Sequence, residues 1–170
     1  MAATLSKKPV APRKVKSRSL ASEVKAAGSV ALDAYEPDAR AKAVLRGIAY
    51  AEEDLKAAGG TYDVDDVRSL LRGVSRQAVD KKVAEGSLLA VPGPSGRRRF
   101  PTAQFTEDGS VVKGLKEVQA ALGFTSRWAV LNFLVNSHDL LGAERPIDVL
   151  RRGDVTRVVE AARRSGVHGA

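Results

Sequence analysis

Arg76 and Gln77 stand side by side at the start of a segment with helical spacing, and Lys81 and Lys82 follow about one turn later. A guanidinium can donate two parallel hydrogen bonds to the O6 and N7 of guanine, and a carboxamide can pair in the same way with adenine. The lysines suit phosphate oxygens, which set register without carrying sequence information. Asp80, between them, is an awkward neighbour for a phosphate; it accepts from a cytosine amine or pairs with a lysine. Further along, Arg97, Arg98 and Arg99 form a run in which, on a strand, Arg97 and Arg99 share one side and Arg98 takes the other. Arginines so placed lie along a phosphate backbone or enter a narrow minor groove. A solvated surface run is the plainer alternative, and the position just after a candidate recognition helix favours nucleic acid.

The elements that must position these groups are legible around them. Val64, Val67, Leu70 and Leu71 recur with helical spacing and predict a first helix with one apolar stripe. Gly73 supplies a turn, and Ser75 is a good cap for a second helix whose Ala78, Val79 and Val83 face inward, leaving Arg76, Gln77, Lys81 and Lys82 outside. Gly86 ends that helix. Leu88, Leu89 and Val91 lead into Pro-Gly-Pro-Ser-Gly, and Arg97 to Phe100 lead away, which predicts two short strands joined by a turn. Helix, tight turn, helix and an arginine-tipped strand pair outline a winged helix-turn-helix.

Around that motif the chain divides into further segments. Residues 1–30 carry seven Lys and Arg against one Glu and no aromatic residue, and are expected to be a disordered basic arm. The arm is either a phosphate clamp or a solubilising tail. Within 31–61, Asp38 after Pro37, apolar Ala43, Val44, Ile48, Ala51 and Leu55, and the stop at Gly59 and Gly60 predict an amphipathic helix that packs on the two-helix motif or on a second copy. The motif itself is expected over 62–112, a connecting helix within 113–125, and a small helical bundle over 126–170. In that bundle the helices are predicted at 126–136, at 146–151 opening on Pro146, and at 155–164 capped by Asp154.

Composition sets outer bounds. The 170 residues carry a net charge of +8 and 44% hydrophobic side chains, enough for a core and suited to a polyanionic partner. With no cysteine and only His138 and His168, disulfides, thiolate chemistry and a metal site are not expected, nor is any cofactor. No run approaches the roughly 18 apolar residues of a membrane span, and no signal-peptide pattern follows the basic N-terminus, so a cytoplasmic, nucleoid-associated protein with no membrane partner is expected.

Enzyme chemistry finds little footing. Glu52, Glu53 and Asp54 are contiguous on a helix and point in different directions, so they read as a solvated face. Ser137, His138 and Asp139 have the residue types of a hydrolase triad, but adjacent residues cannot converge as nucleophile, base and orienter. The glycine-rich turn at 92–96 lacks phosphate-loop spacing. The chain is therefore expected not to be an enzyme.

Residues 64–101 resemble the small winged helix-turn-helix of MerR-like and excisionase-like proteins, through Leu-Leu-x-Gly-Val-Ser-Arg-Gln-Ala-Val at 70–79 and Glu-Gly-x-Leu at 85–88. Residues 126–166 resemble the toxin-binding domain of Xre/MbcA/ParS antitoxins, through Trp128, Leu131 and Leu134, then Leu141, Gly142 and Pro146, Val149 and Leu150, and Gly153 to Val158. The turn is one residue longer here, and the winged motif replaces the helical DNA-binding domain of better-known members. The resemblance implies an antitoxin that represses its own operon and binds a RES-type toxin, with Trp128, Arg163 and Arg164 as partner-binding candidates. For Trp128 a core role is the alternative, and for the two arginines favourable charge at a helix end.

The fold expected is thus mainly α, a winged helix-turn-helix plus a small C-terminal helical bundle. The function expected is sequence-specific repression on double-stranded DNA, as a homodimer, with Ser75, Arg76, Gln77, Lys81, Lys82, Arg97, Arg98 and Arg99 at the interface. An interaction adaptor, or a mobile-element or nucleoid regulator without a toxin, is the alternative.

Overall fold

The computed structural model describes residues 37–93, 96–123 and 126–166. The basic arm expected over 1–30 and the last four residues, His168 among them, lie outside these. The described residues from Ala43 onward form one compact unit. In chain order the elements are α1 (Pro37–Ala57), β1 (Thr61–Tyr62), α2 (Val64–Leu70), α3 (Arg76–Ala84), β2 (Val91–Pro92) and β3 (Arg98–Pro101). After a 3-10 turn at Thr102–Gln104 come α4 (Leu115–Leu122), α5 (Arg127–Val135), a second 3-10 turn at Asp139–Leu141, α6 (Pro146–Arg151) and α7 (Val155–Gly166). The described chain is mainly helical with one small antiparallel sheet, in which β3 lies between β1 and β2. Tyr62 stands opposite Phe100, and Val91 opposite Arg99.

Local chemistry explains the α2–α3 pair. The Asp63 carboxylate accepts from the backbone N–H groups of Asp65 (2.8 Å) and Asp66 (2.9 Å), and Asp66 reaches back to the Asp63 N–H, a reciprocal cap on α2. The chain then turns through Arg72 and Gly73, both with positive φ. The Arg68 Nε donates to the Val74 carbonyl at 3.0 Å and braces that turn. Ser75 caps α3 by accepting from the Ala78 N–H at 3.2 Å.

Two cores share one partition. Val67, Val79, Leu88, Ala90, Phe100 and Phe105 form a small core under α2, α3 and the sheet. Leu89 and Val91 belong instead to a larger core with Val112 and the buried residues of α4, α5, α6 and α7. Residues 88 to 91 alternate between the two, as successive side chains of an extended segment point to opposite faces. The Gln104 carboxamide supports this segment from the side: its Oε1 accepts from the Leu89 N–H at 2.7 Å, and its Nε2 donates to the Leu89 carbonyl at 2.9 Å.

The larger core crosses the boundaries expected near 112 and 126. Leu115, Val118 and Leu122 of α4 are buried in it alongside Val158, Ala161 and Ala162 of α7, so α4 is a core helix rather than a connector.

Within one chain the apolar face of α1 is not covered along its length by the two-helix motif, which leaves packing on a second copy open. Val44, Leu45, Ile48 and Tyr50 are 50–65% exposed, and only the end of the helix is anchored in the larger core, through Leu55, Ala57 and Ala58. The last carbonyls of the helix are satisfied there: Arg145 Nη1 donates to Ala57 (3.1 Å) and Thr102 Oγ1 to Ala58 (2.5 Å). Asp54, expected on a solvated face, is buried at 7% exposure and accepts from the Nδ2 groups of Asn132 and Asn136. Two amide donors, Asn132 of α5 and Asn136 at its C-terminal cap, replace the water that a lone carboxylate would demand.

Candidate nucleic-acid interface

The cap on α3 decides where its first side chains go. With the Ser75 oxygen turned to the Ala78 N–H, Arg76 and Gln77 occupy the first exposed turn. Gln77 makes no side-chain hydrogen bond among the described residues. Arg76 donates to both carboxylate oxygens of Asp65 on α2, at 3.2 and 3.1 Å. Hydrogen bonds from Arg68 and then Arg76 hold the Asp65 carboxyl below its usual range. Lys81 is exposed, 3.8 Å from Glu85 one turn on.

Lys82 departs from the expectation that it stands outside. It is half-buried, because three residues after the fully buried Val79 it returns to the same side of the helix, with its stem against the body.

The β2–β3 hairpin brings the other arginines to this place. Arg97 and Arg98 are exposed, and Arg99 is half-buried. A groove of about 680 Å3 is lined by Arg76 and Asp80 of α3, by Asp63, Val64 and Asp65 at the start of α2, and by Arg97, Arg98 and Arg99. All three arginines border this groove, but Arg98 and Arg99, adjacent on β3, still differ: Arg98 turns to α3, and Arg99 also borders the apolar groove beside Trp128. Asp80 is paired with Arg98 across this groove rather than with a lysine. Two guanidiniums are therefore engaged by carboxylates, and Arg97 makes no side-chain hydrogen bond or ion pair among the described residues.

Sequence reasoning missed the role of Asp65 and the partner of Asp80. One signal was available: Arg76 and Asp80 are four residues apart and so share a helix face, which places a carboxylate beside any base-reading arginine.

The partner-binding candidates do not line a common groove. Trp128 is half-buried against the larger core and faces an apolar groove of about 1060 Å3 shared with Val44, Ile48 and Ala51 of α1 and with Pro92. Arg163 and Arg164 are exposed on the last turn of α7, 3.9 and 3.1 Å from Glu160. His138 is structural: its Nδ1 accepts from the Leu140 N–H (3.3 Å), its Nε2 lies 2.9 Å from the Ser165 hydroxyl, and its ring meets the edge of Phe133. No helix among the described residues is long and apolar enough to cross a membrane.

No family model and no curated protein matches the chain. Among solved structures the chain is similar to the NMR structure of Rv2175c, at 28% identity and a TM-score of 0.54, over 62% of this chain and 80% of that one.

Proposed function

We propose that the chain is a sequence-specific DNA-binding transcriptional repressor in which residues 62–112 act as a winged helix-turn-helix. The observation that carries this reading is the convergence of Arg76, Arg97 and Arg98, from a helix start and a hairpin about twenty residues later, on one groove. In this reading α3 enters the major groove, Arg76 and Gln77 meet base edges, and Lys81 meets phosphate. Arg97 and Arg98 follow the backbone or the adjacent minor groove. Lys82 contributes a phosphate contact only at the tip of its half-buried stem.

The test is binding to the DNA upstream of the chain's own gene against random duplex, over a range of salt. A preference of about a thousandfold supports a sequence-specific regulator. Equal, steeply salt-dependent binding to both duplexes overturns it.

The resemblance of 126–166 to antitoxin domains extends the proposal to a homodimer that represses its own operon and binds a RES-type toxin. Trp128, Arg163 and Arg164 are the contacts to vary in co-purification with the product of the neighbouring gene. A neighbouring gene that encodes no such protein removes that extension and leaves DNA binding untouched.

A further inference from the structure

We infer that Asp80 is a specificity-determining residue of the α3 face, held by Arg98 in the free protein and turned to a cytosine amine on the bound site. This inference rests on the DNA-binding reading and deepens it.

The argument begins with what a carboxylate does on such a face. Asp63, Asp65 and Asp80 stand in a groove whose other charged members are all arginines. Each carboxylate repels phosphate, and Asp65 and Asp80 also occupy guanidiniums that would otherwise grip it, so the face is tuned against indiscriminate binding. Asp63 and Asp65 have duties within the fold, the first capping α2 and the second bracing Arg68. Asp80 has none: among the described residues its side chain pairs only with Arg98, and that pair is about half exposed on both sides.

An ion pair that exposed is easily exchanged. When Arg98 moves to a phosphate, Asp80 is left facing the major groove as a pure acceptor. Among the base-pair edges there, the cytosine and adenine amines are the donors, and adenine presents an acceptor beside its amine that repels a carboxylate. Cytosine is the partner that remains. Arg76 lies one turn earlier on the same face, about 6 Å along the helix axis, which sets the two side chains on neighbouring base pairs. Guanine for Arg76 and cytosine for Asp80, within one or two steps, is the expected signature.

The experiment uses the full chain and a randomised duplex library, with affinities then measured on the selected site and on random DNA. The wild type is expected to select a C·G pair beside the guanine read by Arg76. Asp80→Asn should lose that cytosine preference by about tenfold and shift it toward adenine, which an amide pairs with. It should also bind random duplex more tightly than the wild type. Arg98→Ala should weaken both DNAs alike and lower the salt slope by about one. An Asp80→Asn protein that selects the same site with the same preference at every position overturns the inference while leaving the DNA-binding reading intact. A wild type that selects no site overturns both.

Discussion

The Asp54 carboxylate on α1 accepts from the Asn136 Nδ2 at 2.8 Å, eighty-two residues away in sequence. Asn132 Nδ2 donates to both oxygens of the same carboxylate at 3.1 Å. These bonds hold the end of α1 to α5 where the apolar contacts of the helix run out. Asp54→Ala is expected to cost about 1.5–3 kcal/mol, because it removes hydrogen bonds to a buried, charged acceptor. Chemical denaturation measures this. A double-mutant cycle with Asn132→Ala should give non-additive losses, and additive ones would show that the contact carries no coupling.

Ile48 makes the opposite case on the same helix. It is 50% exposed, so Ile48→Asp should shift stability by no more than about 0.5 kcal/mol, in contrast to the several kcal/mol of a core change. A large loss in thermal unfolding would mean that this face is covered in solution.

On the DNA-binding reading, Arg76→Ala should cost about 1–3 kcal/mol on the selected site and much less on random duplex. Lys81→Ala should weaken both equally and reduce the salt slope by about one. Titration of each variant against the two duplexes separates these outcomes. Equal losses for Arg76→Ala would remove it from base reading.

Arg145 forms a two-pronged pair with Asp148, at 2.6 and 3.0 Å, while its third nitrogen caps α1. Arg145 holds the Asp148 carboxyl below the ordinary aspartate value of 3.8. A carboxylate whose folded-state value is depressed stabilises the fold above its unfolded value and loses that contribution as pH falls through the folded one. Asp148→Asn should therefore be less stable than the wild type near neutrality, by about 1 kcal/mol or less for so solvent-screened a pair. The gap should close below pH 3.8. Unfolding midpoints across an acid series test it, and a gap independent of pH would rule the charge out as its source.

Gly114 opens α4 with φ of +87°, and a Cβ there would lie 2.6 Å from a Val155 methyl and 3.1 Å from Leu150. Gly114→Ala meets both backbone strain and a clash at the joint of α4, α6 and α7. A loss of about 1–3 kcal/mol is expected by denaturation, where an unstrained glycine-to-alanine change would stabilise.

The elements were largely written in local pattern. Ser75 before Arg76, Gly86 after α3, Pro146 at the start of α6 and Gly123 after α4 mark boundaries within a residue or two of those seen, because caps and turns are short-range chemistry. The burial of Asp54 was not legible, since its donors lie on α5 and at its C-terminal cap and no helical periodicity announces them. The Asp80–Arg98 pair was likewise hidden by the hairpin that closes between them. Val44 and Ile48 are exposed within the chain, so the periodic argument found the apolar stripe without its cover: such a stripe says that a face wants covering, and nothing in it says by what.

Gln104 has the last consequence. By matching both the N–H and the carbonyl of Leu89, its side chain stands in for a neighbouring strand at the point where the chain leaves the two cores for the hairpin. The base of the hairpin is thus bolted down before any ligand arrives, and the ordering entropy of that stretch is spent at folding rather than at association. On the DNA-binding reading, this stretch should therefore dock as a near-rigid surface and add no coupled-folding contribution of its own to the heat-capacity change.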